Sequence, residues 1–456
     1  MGISRVAVLG AGLSGLMLAW KLQESGIPTL VVEAQPEVGG VAKTQVWNGF
    51  RVEVGPHSFH TTEQPLAREL KRLMGGEFQI QTRYNKVWFQ NRWVAYPLSS
   101  RSVMEIPTTT LARAMGDWAL HWGQKRLGFA PEAGTVSPSG LLPQYGWVLD
   151  QVLMNEYIQK VQQVPASSMR PEWFTTSNPT STLESVKQLV TGLFKRPKQR
   201  SLTFHDPNRG FCSIPQTLAQ KFEEAGGQIR TSANVRKIYA PEGEVQAIEY
   251  SWQGKEYWQP VDFLFSTIPL SALFFRWDPL PPHRMLEYTY QLNHSSLVSL
   301  HILLDAPQNK SLWWGYFPEP NYSFYRVSPA TLHRPTHESQ KNQRCLKVEW
   351  MLPAGHPLHD ASPEQLLEEA RPGLVEAGLL QPEQVRDLSV HRELRTLPMV
   401  QENKELPFRE ISMFLTQVRR FRALGQQGNF TPNSLADTLS QSLDAASTLI
   451  KEAHLL

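Results

Sequence analysis

Hydrophobic positions along this chain follow two alternating periods. Four consecutive apolar residues, Val6-Ala7-Val8-Leu9, lead into a glycine-rich turn, then an apolar helical pattern, then Leu30-Val31-Val32 ending on Glu33. Short apolar runs bounded by turn signals are the mark of buried strands, so the order is strand, turn, helix, strand, acid. A helix is predicted over 65–74, where Leu66, Leu70 and Leu73 fall at helical spacing. Residues 76–100 alternate apolar and polar, with Val87-Trp88-Phe89 and Trp93-Val94 flanking Gln90-Asn91, which predicts a hairpin. The stretch 101–200 reads as mostly helical, broken by a Pro/Gly/Ser loop near 130–145. A helix from Pro215 to Gly226, strands at 227–231 and 235–238, and the alternation Val298-Ser299-Leu300-His301-Ile302 follow, and the chain ends in a helix.

The first turn reads Gly10-Ala11-Gly12-Leu13-Ser14-Gly15. Gly10 permits a tight turn, Gly12 lets a pyrophosphate approach the backbone, and Gly15 lets the helix pack close to the strand. Amides at the helix start, Leu13 and Ser14 among them, face the diphosphate together with the positive end of the helix dipole. Glu33 lies 18 residues beyond Gly15, where a carboxylate accepts hydrogen bonds from ribose hydroxyls and disfavours a 2′-phosphate. With a strand on each side and the acid in place, this is the pattern of a dinucleotide site.

After Glu33 comes Ala34-Gln35-Pro36-Glu37-Val38-Gly39-Gly40-Val41-Ala42-Lys43-Thr44, whose paired glycines Gly39 and Gly40 offer a second close backbone approach. Gly49-Phe50-Arg51-Val52-Glu53-Val54-Gly55-Pro56-His57-Ser58-Phe59-His60-Thr61 follows. With these residues the chain resembles the FAD-dependent amine oxidase and protoporphyrinogen oxidase superfamily, in the branch that shades into UDP-galactopyranose mutase. The resemblance implies that Glu33, Ala34, Gly39, Gly40 and Val41 touch FAD and that the turn Gly55-Pro56-His57-Ser58 lies beside the isoalloxazine ring. Amine oxidases carry Arg soon after the double glycine, whereas this chain has Val41 and Lys43, which argues against the amine oxidase subgroup proper.

Further motifs occur in the family's order. They are Asn91 to Leu98, ending Tyr96-Pro97-Leu98; Tyr157-Ile158-Gln159-Lys160-Val161 with Pro165 and Trp173; Phe265 to Leu270; Tyr316 to Pro320 with Phe324-Tyr325-Arg326-Val327; and Gly425-Gln426-Gln427-Gly428-Asn429-Phe430 with Asp437. Gln426 stands where most relatives have Arg. The resemblance implies that Val235 hydrogen-bonds adenine through its backbone, that Gly425 belongs to the C-terminal flavin motif, and that the helix beginning near Ser434-Leu435 aims its N-terminus at flavin N1 and O2. The implied fold class is α/β: a Rossmann-type, GR2-type FAD-binding domain with a mixed-sheet substrate domain and a helical insertion. The expected division is 1–75, 201–274 and 396–456 for FAD binding, 76–100 and 275–395 for substrate binding, and 101–200 for the helical subdomain.

Composition narrows the functional classes. A chain of 456 residues has room for two or three structural units. A formal charge of +3 is close to neutral and gives no sign of a nucleic-acid partner. Basic runs at Lys195-Arg196-Pro197-Lys198-Gln199-Arg200 and Arg419-Arg420-Phe421-Arg422 read as solvated faces or as contacts for an anionic substrate or lipid. Cys212 and Cys345 have no metal or redox spacing, which fits a reducing, cytoplasmic setting. Neither falls in an attachment context, so the FAD is expected to be noncovalent. No signal-peptide pattern opens the chain, and no run of about 18 apolar residues predicts a transmembrane helix. Peripheral lipid contact through Leu141-Leu142 and the Trp-rich stretch 118–150 stands beside core packing as a use for those side chains. Oligomeric state is not legible.

Two residues are candidates for chemistry. His57 either presents a polar group to the flavin, donating a hydrogen bond or passing a proton, or simply shapes the loop. Arg326 either meets substrate phosphate, as a strand arginine does in mutase-like relatives, or is a surface arginine. Trp88, Trp93, Tyr157, Trp313, Trp314, Tyr316 and Tyr325 line a flat or sugar substrate or fill the core. No metal site is expected, since the pairs His57/His60 and His356/His359 lack a third ligand. FAD would carry the redox step, and the protein would bind, orient and desolvate a small-molecule substrate. Three readings follow: an oxidoreductase dehydrogenating an organic substrate at flavin N5, a redox-neutral sugar-nucleotide mutase using reduced FAD, and a non-enzymatic protein that keeps FAD as a structural element.

Overall fold

The first apolar run forms the strand Val6–Leu9 at the centre of a five-stranded parallel sheet. The order is Phe421–Ala423, Phe263–Ser266, Val6–Leu9, Thr29–Val32, Gln228–Arg230. This is a computed structural model, and it describes residues 3–55, 64–83, 85–96, 105–126, 156–163, 202–207, 209–307, 312, 314–329, 342–399 and 405–455. Pro56, His57, Ser58, His60, Leu141, Leu142, Pro165, Trp173, Trp313 and the run Lys195–Arg200 lie outside the described residues, as does most of 101–200 apart from helices Thr108–Arg126 and Glu156–Gln162.

A parallel sheet is covered on both faces, so its inner strands are largely apolar, while the edge strands Gln228–Arg230 and Phe421–Ala423 carry polar side chains. On one side Val8, Val31 and Phe265 pack against the helices Leu13–Glu24, Ser213–Glu224 and Leu435–Leu455. On the other, Leu9, Val32 and Leu264 pack with Val235, Ile248, Phe274 and Ile411. The helix expected to start at Pro215 starts at Ser213. Pro215 sits in its first turn, where backbone N–H groups have no intrahelical acceptor and proline removes nothing.

A seven-stranded mixed sheet forms the second layer system. Its order is Val385–Pro398, His294–Leu304, Arg344–Leu352, Arg326–Pro329, Gly315–Tyr316, Asn85–Phe89, Arg92–Tyr96. Alternation along a strand sends successive side chains to opposite faces. Val298, Leu300, Ile302, Val348 and Trp350 pack with Leu366, Ala370 and Leu374 of helix Pro363–Glu376. Their neighbours occupy the other face. There Leu303 and Cys345 meet Phe50 and Val52 of the hairpin Thr44–Trp47/Phe50–Glu53, while Leu297, Tyr325 and Met351 meet Tyr157 and Val161 of helix Glu156–Gln162. Lys160 on that helix donates to the carbonyl oxygens of Phe317 at 2.8 Å and Phe324 at 3.4 Å, anchoring it over the sheet.

Candidate active site

Two glycine segments meet at the C-terminal edge of the parallel sheet. Gly10 has φ +101°, and an ideal Cβ on Gly15 would lie 2.1 Å from the Gly10 carbonyl oxygen, so strand and helix touch backbone to backbone. Gly12 forms an isolated parallel bridge with Gly39, whose N–H donates to Ala11 O at 2.8 Å. A Cβ on Gly40 would stand 3.3 Å from Gly12 Cα, and one on Gly12 would stand 4.0 Å from Gly40 Cα. The two chains thus face each other across a cleft bare of side chains. Glu33 accepts from the amides of Ala11 at 2.7 Å and Gln35 at 2.8 Å, which places its carboxylate against the first turn. Leu13 is buried, Ser14 Oγ shares a 2.8 Å hydrogen bond with Ser442 Oγ, and Ala34 and Val41 lie at the surface.

The C-terminal segment closes on the same place. A Cβ on Gly425 would lie 3.0 Å from Ser14 Cβ, and one on Gly428 would lie 2.7 Å from Ser266 O. Gln426, in the position of the family's arginine, donates from Nε2 to Thr396 O at 2.7 Å and ties this turn to the seven-stranded sheet. The helix Leu435–Leu455 begins after Ser434, whose N–H and hydroxyl both donate to Asp437 (3.1 and 2.6 Å) while Asp437 N–H donates back to the hydroxyl at 3.1 Å. Val235 sits at a β-bulge, and its carbonyl oxygen accepts from Arg276 Nε at 2.7 Å.

Facing this region, the seven-stranded sheet carries a buried polar surface. In register, Glu349 lies opposite both Ser299 and Arg326, and Lys347 opposite both His301 and Ser328. Arg326 Nε donates to Glu349 Oε2 at 2.6 Å, with Nη2 2.5 Å from the same oxygen. Lys347 Nζ stands 3.2 Å from Glu349 Oε1 and donates to the carbonyl oxygens of Glu53 and Gly55, each at 3.0 Å. All three side chains are under 5 % exposed. Burial alone would raise the Glu349 carboxyl, but the charges of Arg326 and Lys347 hold it below its ordinary value. Burial, then the Lys347 charge, push His301 down to about 3, so it is neutral. Among the described residues Ser299 Oγ, His301 Nε2 and Tyr325 OH are buried without a hydrogen-bond partner. Buried polar atoms are normally paired, so these three stand out on this face. The Arg326 guanidinium lies 4.9 Å from the Trp314 ring centroid and 5.3 Å from that of Tyr325, and Tyr157 sits 5.4 Å from Tyr316 and 6.0 Å from Tyr325.

The family profile of the flavin-containing amine oxidoreductases matches residues 13–392, a span that begins just after Gly12 and takes in Gly15, Gly39, Gly40 and the polar sheet face. The chain belongs to that family. It is therefore a member of a family of flavin-dependent oxidoreductases, built on an α/β fold with a Rossmann-type flavin-binding sheet. It is 32% identical over 324 residues to coproporphyrinogen III oxidase of Staphylococcus aureus, covering 66% of this chain and 67% of the relative. Phytoene desaturase of Pseudescherichia vulneris is 23% identical over 269 residues, 54% of this chain and 52% of that one. The crystal structure of reduced UDP-galactopyranose mutase superposes with a TM-score of 0.82 at 18% identity, covering 100% of this chain and 95% of that one, which is a likeness of fold.

For this flavin family member the structure revises the surface reading of Arg326 and decides between alternatives the sequence left open elsewhere. Arg326 is neither a surface residue nor a free cation, because Glu349 neutralises it inside the sheet. The basic run at 419–422 is an exposed face: Arg419 and Arg420 both pair with Glu244, at 2.7 and 2.9 Å. Trp88 and Tyr325 are buried in packed clusters, as core aromatics are. Ser299, His301, Lys347 and Glu349 were missed. Their signal lies in the strand pattern, where Lys347 and Glu349 alternate with Leu346, Val348 and Trp350 in a run too apolar for a surface strand. No helix among the described residues is long and apolar enough to cross a membrane.

Proposed function

We propose that this protein is an FAD-dependent oxidoreductase of the porphyrinogen-oxidase type, dehydrogenating an organic small molecule by hydride transfer to flavin N5. The observation that carries this reading is the bare Gly12/Gly40 cleft set beside a buried polar sheet face, in a chain 32% identical to a coproporphyrinogen III oxidase. Gly10, Gly12, Leu13, Ser14, Gly15, Gly39, Gly40 and Val41 would hold the pyrophosphate, with Glu33 and Ala34 at the ribose and Val235 at the adenine. Gly55, Pro56, His57, Ser58, Gly425, Ser434 and Leu435 would surround the flavin ring. The binding is noncovalent, the setting cytoplasmic, and the three-part domain division that of the sequence reading. When bound, FAD supplies the acceptor for two electrons.

The remaining work falls to the chain. The amides of the first turn and the helix dipole stabilise the diphosphate. The aromatic cluster around Tyr157, Tyr316 and Tyr325 excludes water. Arg326 and Lys347 outnumber Glu349, so the wall carries positive charge suited to an anionic substituent on the substrate. Resemblance of the Gly55-Pro56-His57 turn to that of the mutases keeps a second reading, ring contraction of UDP-galactose with reduced FAD.

The test is anaerobic mixing of the FAD-loaded protein with coproporphyrinogen III or protoporphyrinogen IX. Bleaching of the flavin without air, followed on admitting oxygen by porphyrin fluorescence growing faster than in a protein-free control, is the expected result, because full conversion of a porphyrinogen takes several flavin turnovers, each ended by reoxidation of the flavin. Formation of a ring-contracted sugar or a sugar–flavin adduct from UDP-galactose and the reduced protein, with no porphyrinogen oxidation, would transfer the chain to the mutase class.

A further inference from the structure

We propose that Lys347 is a positioning residue for the flavin, fixing the turn that begins at Glu53–Gly55. This rests on the proposed reading, in which Gly55 lies beside the flavin ring. An ammonium group has three N–H donors and no acceptor. Lys347 has three partners: Glu53 O and Gly55 O at 3.0 Å each, and Glu349 Oε1 at 3.2 Å. The two carbonyls bracket Val54 at the end of strand Phe50–Glu53, and Gly55 has φ +79°, so the ammonium clamps the chain where it leaves the sheet register. The Glu53 side chain is held as well, accepting from Thr44 Oγ1 at 2.8 Å and from Phe211 N–H at 3.1 Å.

Glu349 bonds Arg326 on one oxygen and Lys347 on the other. The contacts therefore run in series from Arg326 through Glu349 and Lys347 to the carbonyl of Gly55.

The variant Lys347→Met leaves Arg326 and Glu349 as a balanced pair, so no unpaired charge is created. It is tested in the full chain by titrating apoprotein with FAD and by recording the visible circular dichroism and midpoint potential of the bound flavin. The expected result is an FAD Kd raised tenfold or more with an altered flavin dichroism band and a shifted potential. Lys347→Gln is smaller than lysine and keeps N–H donors, so an intermediate change is expected; it carries the test if the Met variant does not fold. Wild-type Kd, dichroism and potential in either folded variant, whatever its melting temperature, would overturn the role of Lys347. Failure of the wild-type protein to bind FAD at all would instead refute the proposed function.

Discussion

Gly12→Ala is expected to leave the apoprotein folded and abolish flavin binding, whereas Gly15→Ala, three residues on, is expected to damage the fold itself. Gly12 has φ −75° and ψ 178°, an extended backbone that alanine adopts freely. Its new methyl would meet only Gly40 Cα at 4.0 Å, an ordinary contact. As a helix N-cap, the exchange costs about 1 kcal/mol or less. The methyl nevertheless occupies the cleft where a pyrophosphate must touch the backbone, and a loss of about 100-fold in FAD affinity, about 2.7 kcal/mol, is expected. At Gly15 the methyl lies 2.1 Å from Gly10 O and 3.2 Å from both Gly10 C and Val8 Cγ1. Strand and helix must separate, and neither backbone atom can rotate away. Overpacking of this kind costs about 3 kcal/mol or more. With an unfolding entropy of about 2.1 cal/mol/K per residue, the chain has near 1 kcal/mol/K in total, so the apoprotein melting temperature falls by about 3 °C or more. Scanning fluorimetry of flavin-stripped protein measures the second effect, and quenching of FAD fluorescence on titration measures the first. Unchanged FAD affinity in Gly12→Ala, or an apoprotein of Gly15→Ala melting within about 1 °C of wild type, would refute the assignment.

Glu349→Ala strands Arg326 and Lys347 as buried, uncompensated cations and is expected to cost about 3–5 kcal/mol in urea denaturation; a loss under about 1 kcal/mol would contradict the ion-pair account. Acid sensitivity is expected from His301, held at about 3 by burial and then Lys347, and from His294, held at about 4 by burial and then Arg395. Both folded-state values lie below the ordinary 6.5, so the unfolded chain binds more protons and stability falls as pH drops from about 6.5 toward about 4, by up to about 1.4 kcal/mol per pH unit for each histidine. A urea midpoint equal at pH 5, on the falling limb, and at pH 7, above it, would count against it, and His294→Gln/His301→Gln should flatten the slope. Noncovalent FAD predicts that acid precipitation leaves the yellow colour in the supernatant; a coloured pellet would mean a covalent link.

The chain's own sequence determined the parts whose physics is local. The strand Val6–Leu9, the turn Gly10–Gly15 and the helix Leu13–Glu24 follow from residues within a few positions of one another, because a buried parallel strand is apolar throughout and a close turn excludes side chains. The start of the last helix near Ser434-Leu435 came from the family resemblance, and in the structure Ser434 and Asp437 cap it reciprocally. The packing role of Gly15 was legible in the motif as well, and an ideal Cβ there would lie 2.1 Å from Gly10 O, whereas one on Gly12 would meet only Gly40 Cα at 4.0 Å. The polar wall was decided by tertiary structure alone. Arg326 meets Lys347 and Glu349 because two strands pair in one register, with Arg326 opposite Glu349, and the lysine reaches Gly55 across 292 residues of chain. Burial is what turns those charges from surface residues into a site: water would screen them apart, whereas the closed face of the sheet leaves each only the others and the turn carbonyls as partners.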